Sequence, residues 1–402
     1  MEKMLSKIRF DGDKIIWRIV VFLSLFSILA IFSSASKLVA MDNFRHSVYW
    51  HLFNRHLVYL FLGFAAMYVC HRIQLSVYKN FSTLLLIASI GLLVYMLVFG
   101  QTLNDGTRWI SIAGIRFQPI EVAKISVVLY LANVLENNVF DDFRSVFRKI
   151  ILPVGAVCFL TFIAGISMGI LLGMICVSIL FIGGIKMKHF FKTCGLAIVF
   201  LAVLFIMGLT LKWPPRVVTA VSRIESFFND HNSQSVADAK NTQSDYAKLA
   251  VASGGLTGKG PGRSTQRHLL PHPYSDFVFA IIIEEYGLIV GIMLLLAYMA
   301  LLYRAAVVAK KCTRIFSSVA VLGLMLMIVF QAMLNMGVSV GLLPVTGQTL
   351  PFISLGGTSI LCTGIAFGII LSVSRMANKQ EASALEKINE TNEKTIKYDE
   401  KN

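Results

Sequence analysis

The chain has 402 residues, of which 56% are hydrophobic and 15% are charged, and its formal net charge is +15. Apolar runs of about 20 residues, the length that spans a bilayer, recur along it, and this excludes an ordinary soluble enzyme. The composition predicts an all-α polytopic membrane protein, in which the positive charge reflects topology and contact with anionic lipid, and no nucleic acid is bound.

Hydrophobic periodicity and run length predict about ten transmembrane helices. They cover approximately residues 15–36, 56–71, 81–100, 119–137, 151–166, 168–186, 191–211, 276–303, 315–337 and 352–374. Pro153, Gly165, Gly169 and Gly173 favour a helical hairpin within 151–186, to which one bent helix is the alternative. The first run is interpreted as an uncleaved span, with a signal peptide as the alternative.

Lys and Arg predict the orientation, because cytoplasmic loops retain positive charge. Six segments between and beside the spans hold 22 Lys and Arg, whereas the three short loops on the other side hold five. Both ends are therefore predicted to be cytoplasmic, and a large extracytoplasmic loop at 212–275 joins spans seven and eight. Residues 1–375 form the transmembrane domain in this interpretation, and residues 376–402 form a disordered cytoplasmic tail.

Two ionisable residues lie near the outer end of the fourth span. Glu121 and Lys124 are functional candidates because charge inside a membrane is costly. Their i, i+3 spacing places them on one helical face, close enough to pair. A structural ion pair between helices and a charged wall of a substrate cavity are both open interpretations at this point.

The stretch LPHPYSDFVFAIIIEEYG at 270–287 leads into the eighth span. Pro271 and Pro273 cannot continue a helix, so Ser275 or Asp276 is expected to cap it at the outer membrane surface. From the residues alone, capping is the favoured role of Asp276, because it satisfies helix amides and the positive end of the dipole.

Two more carboxylates lie inside this span. Helix geometry puts Glu284 about 80° around the axis from Asp276 and about 12 Å deeper, with Glu285 near the opposite face. In one interpretation one of them faces a cavity while its neighbour packs elsewhere. The favoured interpretation makes both of them buried structural groups that are hydrogen-bonded to other helices.

The segment 248–275 is basic and rich in glycine. It contains four Lys or Arg and no acidic residue. Its glycines at 254, 255, 258, 260 and 262 allow close backbone approach, and adjacent amides are expected to cradle phosphate oxygens. It is not a Walker loop, because the spacing to Lys259 is wrong and no strand precedes it. A flexible loop is the alternative.

Four separated segments resemble the SEDS family, the shape, elongation, division and sporulation proteins. They are IFSSAS at 31–36, GTRWISIAGIRFQPIEVAK at 106–124, SGGLTGKGPGRSTQRHLLPHPYSDFVFAIIIEEYG at 253–287 and NMGVSVGLLPVTGQTLPFISLGGTSI at 335–360. The match covers most of the ten-span region, and no common membrane fold shares this order. The chain departs from the family at FIAGISMGIL, residues 162–171, where many members carry an acidic residue.

The resemblance implies a peptidoglycan glycosyltransferase that polymerises lipid II on the outer face of the bacterial cytoplasmic membrane. The family's essential aspartate corresponds to Asp276. In that role Asp276 takes the proton from the acceptor 4-hydroxyl as this oxygen attacks the donor anomeric carbon with inversion. The resemblance therefore reverses the preference for a capping role.

The departing undecaprenyl pyrophosphate requires cations and amides around it. The substrate- and pyrophosphate-binding residues implied by the resemblance are Arg108, Trp109, Lys259, Arg263, Arg267, Glu121 and Lys124. The implied supporting residues are Gln118, Glu284, Glu285, Pro344, Pro351, Ser354, Gly356 and Gly357. Residues 344–358 are expected to shape a bent outer helix. No metal-ligand spacing is present, so a divalent cation would bridge the substrate pyrophosphate.

Likeness at 10–17, at 259–277 and in the charged tail favours the division-type branch, acting at the septum, over the elongation type. The implied partners are a single-pass class B penicillin-binding transpeptidase and other division proteins. Two other functions stay open. One is a lipid II flippase, against which the lack of internal repeats weighs, and the other is a non-catalytic scaffold in which Asp276 is only a cap.

Overall fold

The computed structural model describes residues 11–35, 46–103, 106–112, 115–211, 243–270 and 273–399. Helices occupy all ten predicted span positions. In chain order they are α1 (Lys14–Ala35), α2 (His46–Arg72), α3 (Leu75–Phe99), α4 (Pro119–Asn137), α5 (Phe143–Val146), α6 (Leu152–Ala164), α7 (Ile166–Ile182), α8 (Met187–Leu211), α9 (Gln243–Gly254), α10 (Val278–Lys311), α11 (Ile315–Ser339) and α12 (Gly357–Asp399). A π-helical turn at Phe147–Ile151 joins α5 to α6, which together make one span.

Eight helices in the described part of the chain are long and apolar enough to cross a membrane. Two further span positions are filled by α7, which has 17 residues, and by α4, which has 19 residues and carries Glu121, Lys124 and Glu136. The prediction of an all-α polytopic membrane protein is confirmed, and the number of helices agrees with about ten spans.

The predicted hairpin within 151–186 is confirmed. Gly165 has an extended backbone, with φ −174° and ψ 115°, between α6 and α7. Gly169 lets the two helices touch, because a Cβ there would lie 2.8 Å from the Cα of Phe162.

The bent outer helix expected at 344–358 is wrong. Residues 344–356 form no helix, and α12 begins at Gly357 rather than near residue 352. The prolines in this stretch cannot donate backbone hydrogen bonds, and Gly347 and Phe352 have positive φ values of 66° and 64°, which an α-helix does not contain. Residues 344–356 are called the signature segment below.

The end of the chain also differs from the disordered tail expected at 376–402. The helix α12 continues beyond the apolar span to Asp399. Residues 375–402 contain no Gly or Pro and are rich in Glu, Lys and Ala, which are strong helix formers. A helix already nucleated in the membrane extends through such a sequence, because each added residue gains a hydrogen bond.

The residues before α4 form a small antiparallel sheet that hydropathy did not predict. Its strands are β1 (Gln101–Leu103), β2 (Gly106–Ile112) and β3 (Ile115–Phe117), in the order β1-β2-β3. Gln101 pairs with Trp109 and Ile110 pairs with Phe117. The second strand packs against α3, α4 and α6, so the sheet covers one end of these helices.

The centre of the bundle is formed by α11, which packs against α4, α7, α10 and α12, while α12 packs along α2. By contrast, α8 is almost wholly exposed and apolar, and we assign it to the lipid-facing surface. Within the predicted outer loop, residues 212–242 lie outside the described residues. The rest of that loop includes α9, which packs on α10.

Candidate functional site

Asp276 lies just before α10, where three consecutive backbone carbonyls are each held by another part of the chain. Two of the donors belong to the signature segment and the third belongs to α11. The bonds are Leu355 N to Tyr274 O at 2.9 Å, Ser354 Oγ to Ser275 O at 2.6 Å, and Asn335 Nδ2 to Asp276 O at 2.8 Å. The backbone of 274–276 is therefore fixed against two elements that are distant in sequence.

The prediction that Ser275 or Asp276 caps α10 is wrong. The N-cap residue is Phe277, with φ −115° and ψ 19°, and it makes no side-chain capping bond. The hydroxyl of Ser275 instead donates to Oδ1 of Asp276 at 2.8 Å. The helix starts after residues 274–276 because these run beside the signature segment. Asp276 is half-buried there.

The carboxylate of Glu284 is the main anchor of the glycine-rich loop. It is 0% exposed and forms an ion pair with Lys259, with 2.6 Å between Oε1 and Nζ. It also accepts hydrogen bonds from Ser264 Oγ, from Thr265 N at 3.0 Å, from Thr265 Oγ1 at 2.9 Å and from Gln266 N at 3.3 Å. These donors supply what a buried charge needs to remain ionised.

Glu285 has a similar role beside it. Its Oε1 accepts the hydroxyl of Ser33 in α1 at 2.5 Å and lies 3.7 Å from a guanidinium nitrogen of Arg267. Both glutamates are buried hydrogen-bonded groups, as the favoured interpretation predicts, but most of their partners belong to the loop rather than to other helices. The helical angle measured from Asp276 does not apply, because Asp276 precedes the helix.

A break in α10 explains how the loop reaches these carboxylates. Gly287 has φ 83° and ψ 171° inside the helix. The freed carbonyls of Glu284 and Glu285 accept the amides of Lys259 and Gly260, both at 2.9 Å. Beyond the break, the amide of Leu288 donates to the carbonyl of Gly255 at 3.0 Å. Loop and helix thus exchange backbone bonds on both sides of Gly287.

Glycine is required where the two backbones meet. A Cβ at Gly254 would lie 2.2 Å from the carbonyl oxygen of Ile283, and one at Gly258 would lie 2.3 Å from that of Glu285. Close backbone approach was predicted for these glycines, and it is confirmed. The expected phosphate cradle is not, because the amides of Lys259 and Gly260 bind helix carbonyls.

Glu121 and Lys124 form the predicted ion pair, with 2.9 Å between Oε1 and Nζ. They are 5% and 1% exposed. Lys124 also donates to Oε1 of Gln331 in α11 at 2.6 Å, and Gln331 donates through Nε2 to the carbonyl of Thr349 at 3.0 Å. These contacts favour the structural ion pair over the cavity wall, and they link α4 to the signature segment.

A polar face on α11 escaped the sequence reasoning. Gln331, Asn335 and Ser339 follow one another at intervals of four residues and are all buried, so they lie on one side of the helix. Asn335 joins Asp276 to the signature segment, because its Nδ2 also donates to the carbonyl of Gln348 at 2.7 Å. The signal was present as polar residues at i, i+4 and i+8 in a mainly apolar span.

Other predicted supporting residues shape the signature segment. The hydroxyl of Tyr298 donates to the carbonyl of Pro351 at 2.5 Å. Gly357 lies against the ring of Tyr59, which a Cβ would approach to 2.7 Å, and a Cβ at Gly356 would lie 3.2 Å from Cγ2 of Thr349. Pro344 is partly exposed at the start of the segment.

The remaining predicted residues are more dispersed. Trp109 is partly buried in β2, beside Arg108, whose side chain lies outside the described part of the structure. Gln118 is buried before α4 and donates to Sδ of Met168 at 3.5 Å. Arg263 is exposed, and the described residues form no ion pair with it. Within the same described residues, no three His, Cys, Asp or Glu are grouped to hold a metal ion.

Comparison with known proteins shows similarity along most of the chain. Residues 13–379 match the model of the FtsW/RodA/SpoVE family, described as cell cycle protein. The chain is 32% identical over 369 residues to the probable peptidoglycan glycosyltransferase FtsW of Coxiella burnetii, covering 89% of this chain and 95% of that protein. It is also 32% identical to stage V sporulation protein E of Bacillus subtilis, covering 80% and 86%.

Solved structures share the fold. A chain from a peptidoglycan synthase complex that coordinates polymerization and crosslinking superposes with a TM-score of 0.71 at 24% identity, covering 91% of this chain and 98% of that one. The rod shape determining protein RodA of Thermus thermophilus superposes with a TM-score of 0.61 at 26% identity, covering 89% and 95%.

Proposed function

The chain belongs to the FtsW/RodA/SpoVE family of cell cycle proteins, and on that premise we propose that it is a peptidoglycan glycosyltransferase. It polymerises lipid II into glycan strands on the outer face of the bacterial cytoplasmic membrane, in septal synthesis during cell division. A relative named as a probable peptidoglycan glycosyltransferase FtsW supports this proposal, because it is 32% identical to this chain over 369 residues.

Asp276 is the general base of this reaction. As the acceptor GlcNAc 4-hydroxyl oxygen bonds to the anomeric carbon of the donor MurNAc, its proton passes to Asp276 and the bond from that carbon to pyrophosphate breaks. Attack opposite the leaving group converts the α-linkage of the donor into a β-linkage. The single observation that supports this assignment is the set of three hydrogen bonds to the backbone carbonyls of 274–276, which fixes the backbone that carries the carboxylate of Asp276.

The leaving pyrophosphate gains negative charge as its bond breaks, and a nearby cation stabilises it. Among the three predicted cations of the glycine-rich loop, we assign Arg263 to this role, because it is exposed while Lys259 and Arg267 are already paired with buried glutamates. We assign Lys259 and Arg267 to holding the loop in position. A divalent cation stays a prediction, and pyrophosphate oxygens would supply most of its ligands.

The proposed partner is a class B penicillin-binding transpeptidase, which crosslinks the strands that this chain makes. The structural likeness to a chain of a peptidoglycan synthase complex supports a partner of that type. Other division proteins and location at the septum belong to the same proposal.

The test is polymerisation of labelled lipid II by the purified chain with its candidate transpeptidase. Wild type is compared with Asp276→Asn and with Asp245→Asn, which makes the same change at an aspartate of α9 that pairs with Lys248 at 3.5 Å. We expect Asp276→Asn to make no polymer and Asp245→Asn to polymerise like wild type.

Three other outcomes would count against the proposal. Equal polymerisation by wild type and Asp276→Asn would remove the role as base. Equal loss in both variants would point to a general effect of removing a carboxylate from the outer side. Absence of polymer from wild type, with lipid II still crossing vesicle membranes, would support the flippase.

A further inference from the structure

A single side-chain amide connects the proposed base to the signature segment. Nδ2 of Asn335 lies 2.8 Å from the carbonyl oxygen of Asp276 and 2.7 Å from that of Gln348. A primary amide has two hydrogens on its nitrogen. Both are used here, and each holds the backbone of a different element.

The orientation of this amide is determined by its surroundings. A rotation of 180° would place Oδ1 of Asn335 against two carbonyl oxygens, which repel it. In the observed orientation Oδ1 is buried and accepts no hydrogen bond from the described residues. The side chain is 1% exposed, so water does not compete for the two donated bonds.

The bond to Asp276 differs from the other two that hold residues 274–276. Leu355 and Ser354 belong to the signature segment, which contains no helix, whereas Asn335 lies in the buried helix α11. A group mounted on a regular element is placed more accurately than one mounted on a loop. The α11 donor therefore sets where Asp276 lies relative to the membrane bundle.

From this geometry we propose that Asn335 is a positioning residue for glycan polymerisation. It touches neither sugar nor pyrophosphate, and it acts by fixing the backbone of Asp276 against the signature segment. This inference rests on the proposed function, because it assigns to Asn335 the placement of the proposed base.

The test is steady-state polymerisation of labelled lipid II by the full chain with its candidate transpeptidase. Asn335→Leu keeps the approximate shape of the side chain and removes both donors. We expect kcat to fall about ten- to a hundredfold, since a displacement of about 1 Å near reacting atoms has effects of that size. KM should change by less than about twofold, because substrate binding does not involve Asn335.

Ser339→Ala is the matched control on the same face of α11. It removes a hydroxyl that donates to the backbone carbonyl of Asn335 at 2.9 Å. Both hydrogen bonds donated by the Asn335 side chain stay in place. We expect wild-type kcat and KM from this variant. An equal fall in kcat in Ser339→Ala and Asn335→Leu would show that damage to α11 is the cause, and would overturn the proposal.

Asn335→Asp provides a second measurement in case Asn335→Leu does not fold. The introduced carboxyl donates one hydrogen bond when protonated and none when ionised. The ratio of its kcat to that of wild type should therefore rise as the pH falls, and a ratio that stays constant with pH would contradict the proposed role.

The failures of the two proposals are distinguishable. Where wild type polymerises and Asp276→Asn does not, an unchanged kcat in folded Asn335→Leu, or a rise in KM in place of the fall in kcat, overturns the positioning role alone. Where wild type makes no polymer, or Asp276→Asn matches it, both proposals fail.

Discussion

The ammonium group of Lys259 lies 2.6 Å from the buried carboxylate of Glu284, whereas Arg263, four residues further along the same loop, has no ion-pair partner among the described residues and is exposed. Two cations of one glycine-rich loop are therefore in different electrostatic situations. One balances a charge that cannot reach water, and the other is available to an anion arriving from outside.

This difference predicts opposite phenotypes for two alanine substitutions. Arg263→Ala should lower kcat/KM for lipid II about tenfold or more with an unchanged melting temperature, because in its proposed role this residue stabilises only the charge on the leaving group. Lys259→Ala should lower the melting temperature, because it leaves Glu284 buried without its cation. Kinetics and thermal unfolding of the same preparations make the comparison. Lys248→Ala, at a cation of α9 that pairs with Asp245, is the control. Wild-type kinetics in Arg263→Ala would contradict the prediction.

Glu284→Gln should release the loop from α10. An amide keeps the shape of the carboxylate but has only one oxygen. Its nitrogen loses either the bonds that Thr265 donates to Oε1 or those that Ser264 and Gln266 donate to Oε2, and the ion pair with Lys259 is lost in both cases. We expect faster protease cleavage within 253–267 and reduced polymerisation. Glu381→Gln is the control, since its pair with Lys311 is exposed and is worth about 1 kcal/mol or less. Equal cleavage rates in wild type and Glu284→Gln would contradict the anchoring role.

Two glycines of the loop distinguish two reasons for needing glycine, a positive φ and a lack of space for a Cβ. Gly258 and Gly262 have similar positive φ values, 80° and 75°, but a Cβ would lie 2.3 Å from a carbonyl oxygen at Gly258 and would meet nothing within 4 Å at Gly262. Gly262→Ala should cost only the backbone strain of about 1–2 kcal/mol. Gly258→Ala should cost clearly more and should reduce polymerisation. Melting temperatures of the two variants test this, and similar values would contradict it.

Removing only the charge of Lys124 should destabilise the bundle more than removing the charges of both Glu121 and Lys124. Lys124→Met leaves a buried carboxylate uncompensated, which typically costs about 3–5 kcal/mol of unfolding free energy. The double variant Glu121→Gln and Lys124→Met removes both charges and should be more stable than Lys124→Met. Thermal unfolding in detergent measures the order, and the opposite order would show that the charges do not interact through their pair.

The spans were predictable because apolar length is a local property. The hairpin at Gly165 was likewise predictable, since glycine and proline affect the backbone conformation at their own positions. The conformation of the signature segment was predicted wrongly because it depends on hydrogen-bond donors from α11. It also depends on a positive φ at Phe352, a residue type that rarely adopts one. The tail at 376–399 has few apolar residues to bury, which predicted disorder. It is helical instead, because α12 continues into it from the membrane span.

At the site, too, local contacts were predictable and contacts between distant residues were not. Pairing of Glu121 with Lys124 followed from their spacing on one helix. The sequestering of Lys259 by Glu284 joins residues 25 positions apart and depends on the break at Gly287. The spacing of Gln331, Asn335 and Ser339 indicates a polar side of α11, but it does not identify the distant carbonyls that Asn335 binds.

The break at Gly287 also bears on how the chain is built into the membrane. Inserted alone, α10 would carry Glu284 and Glu285 into hydrocarbon, at a cost of up to about 2.5–3.5 kcal/mol for each charged residue. Their partners, Ser33 and the residues of the loop, are translated before them. The polar groups that neutralise these carboxylates thus precede α10 in the chain. The helix and the loop before it would then settle as one unit, and biogenesis would depend on the loop even in a protein with no catalytic activity.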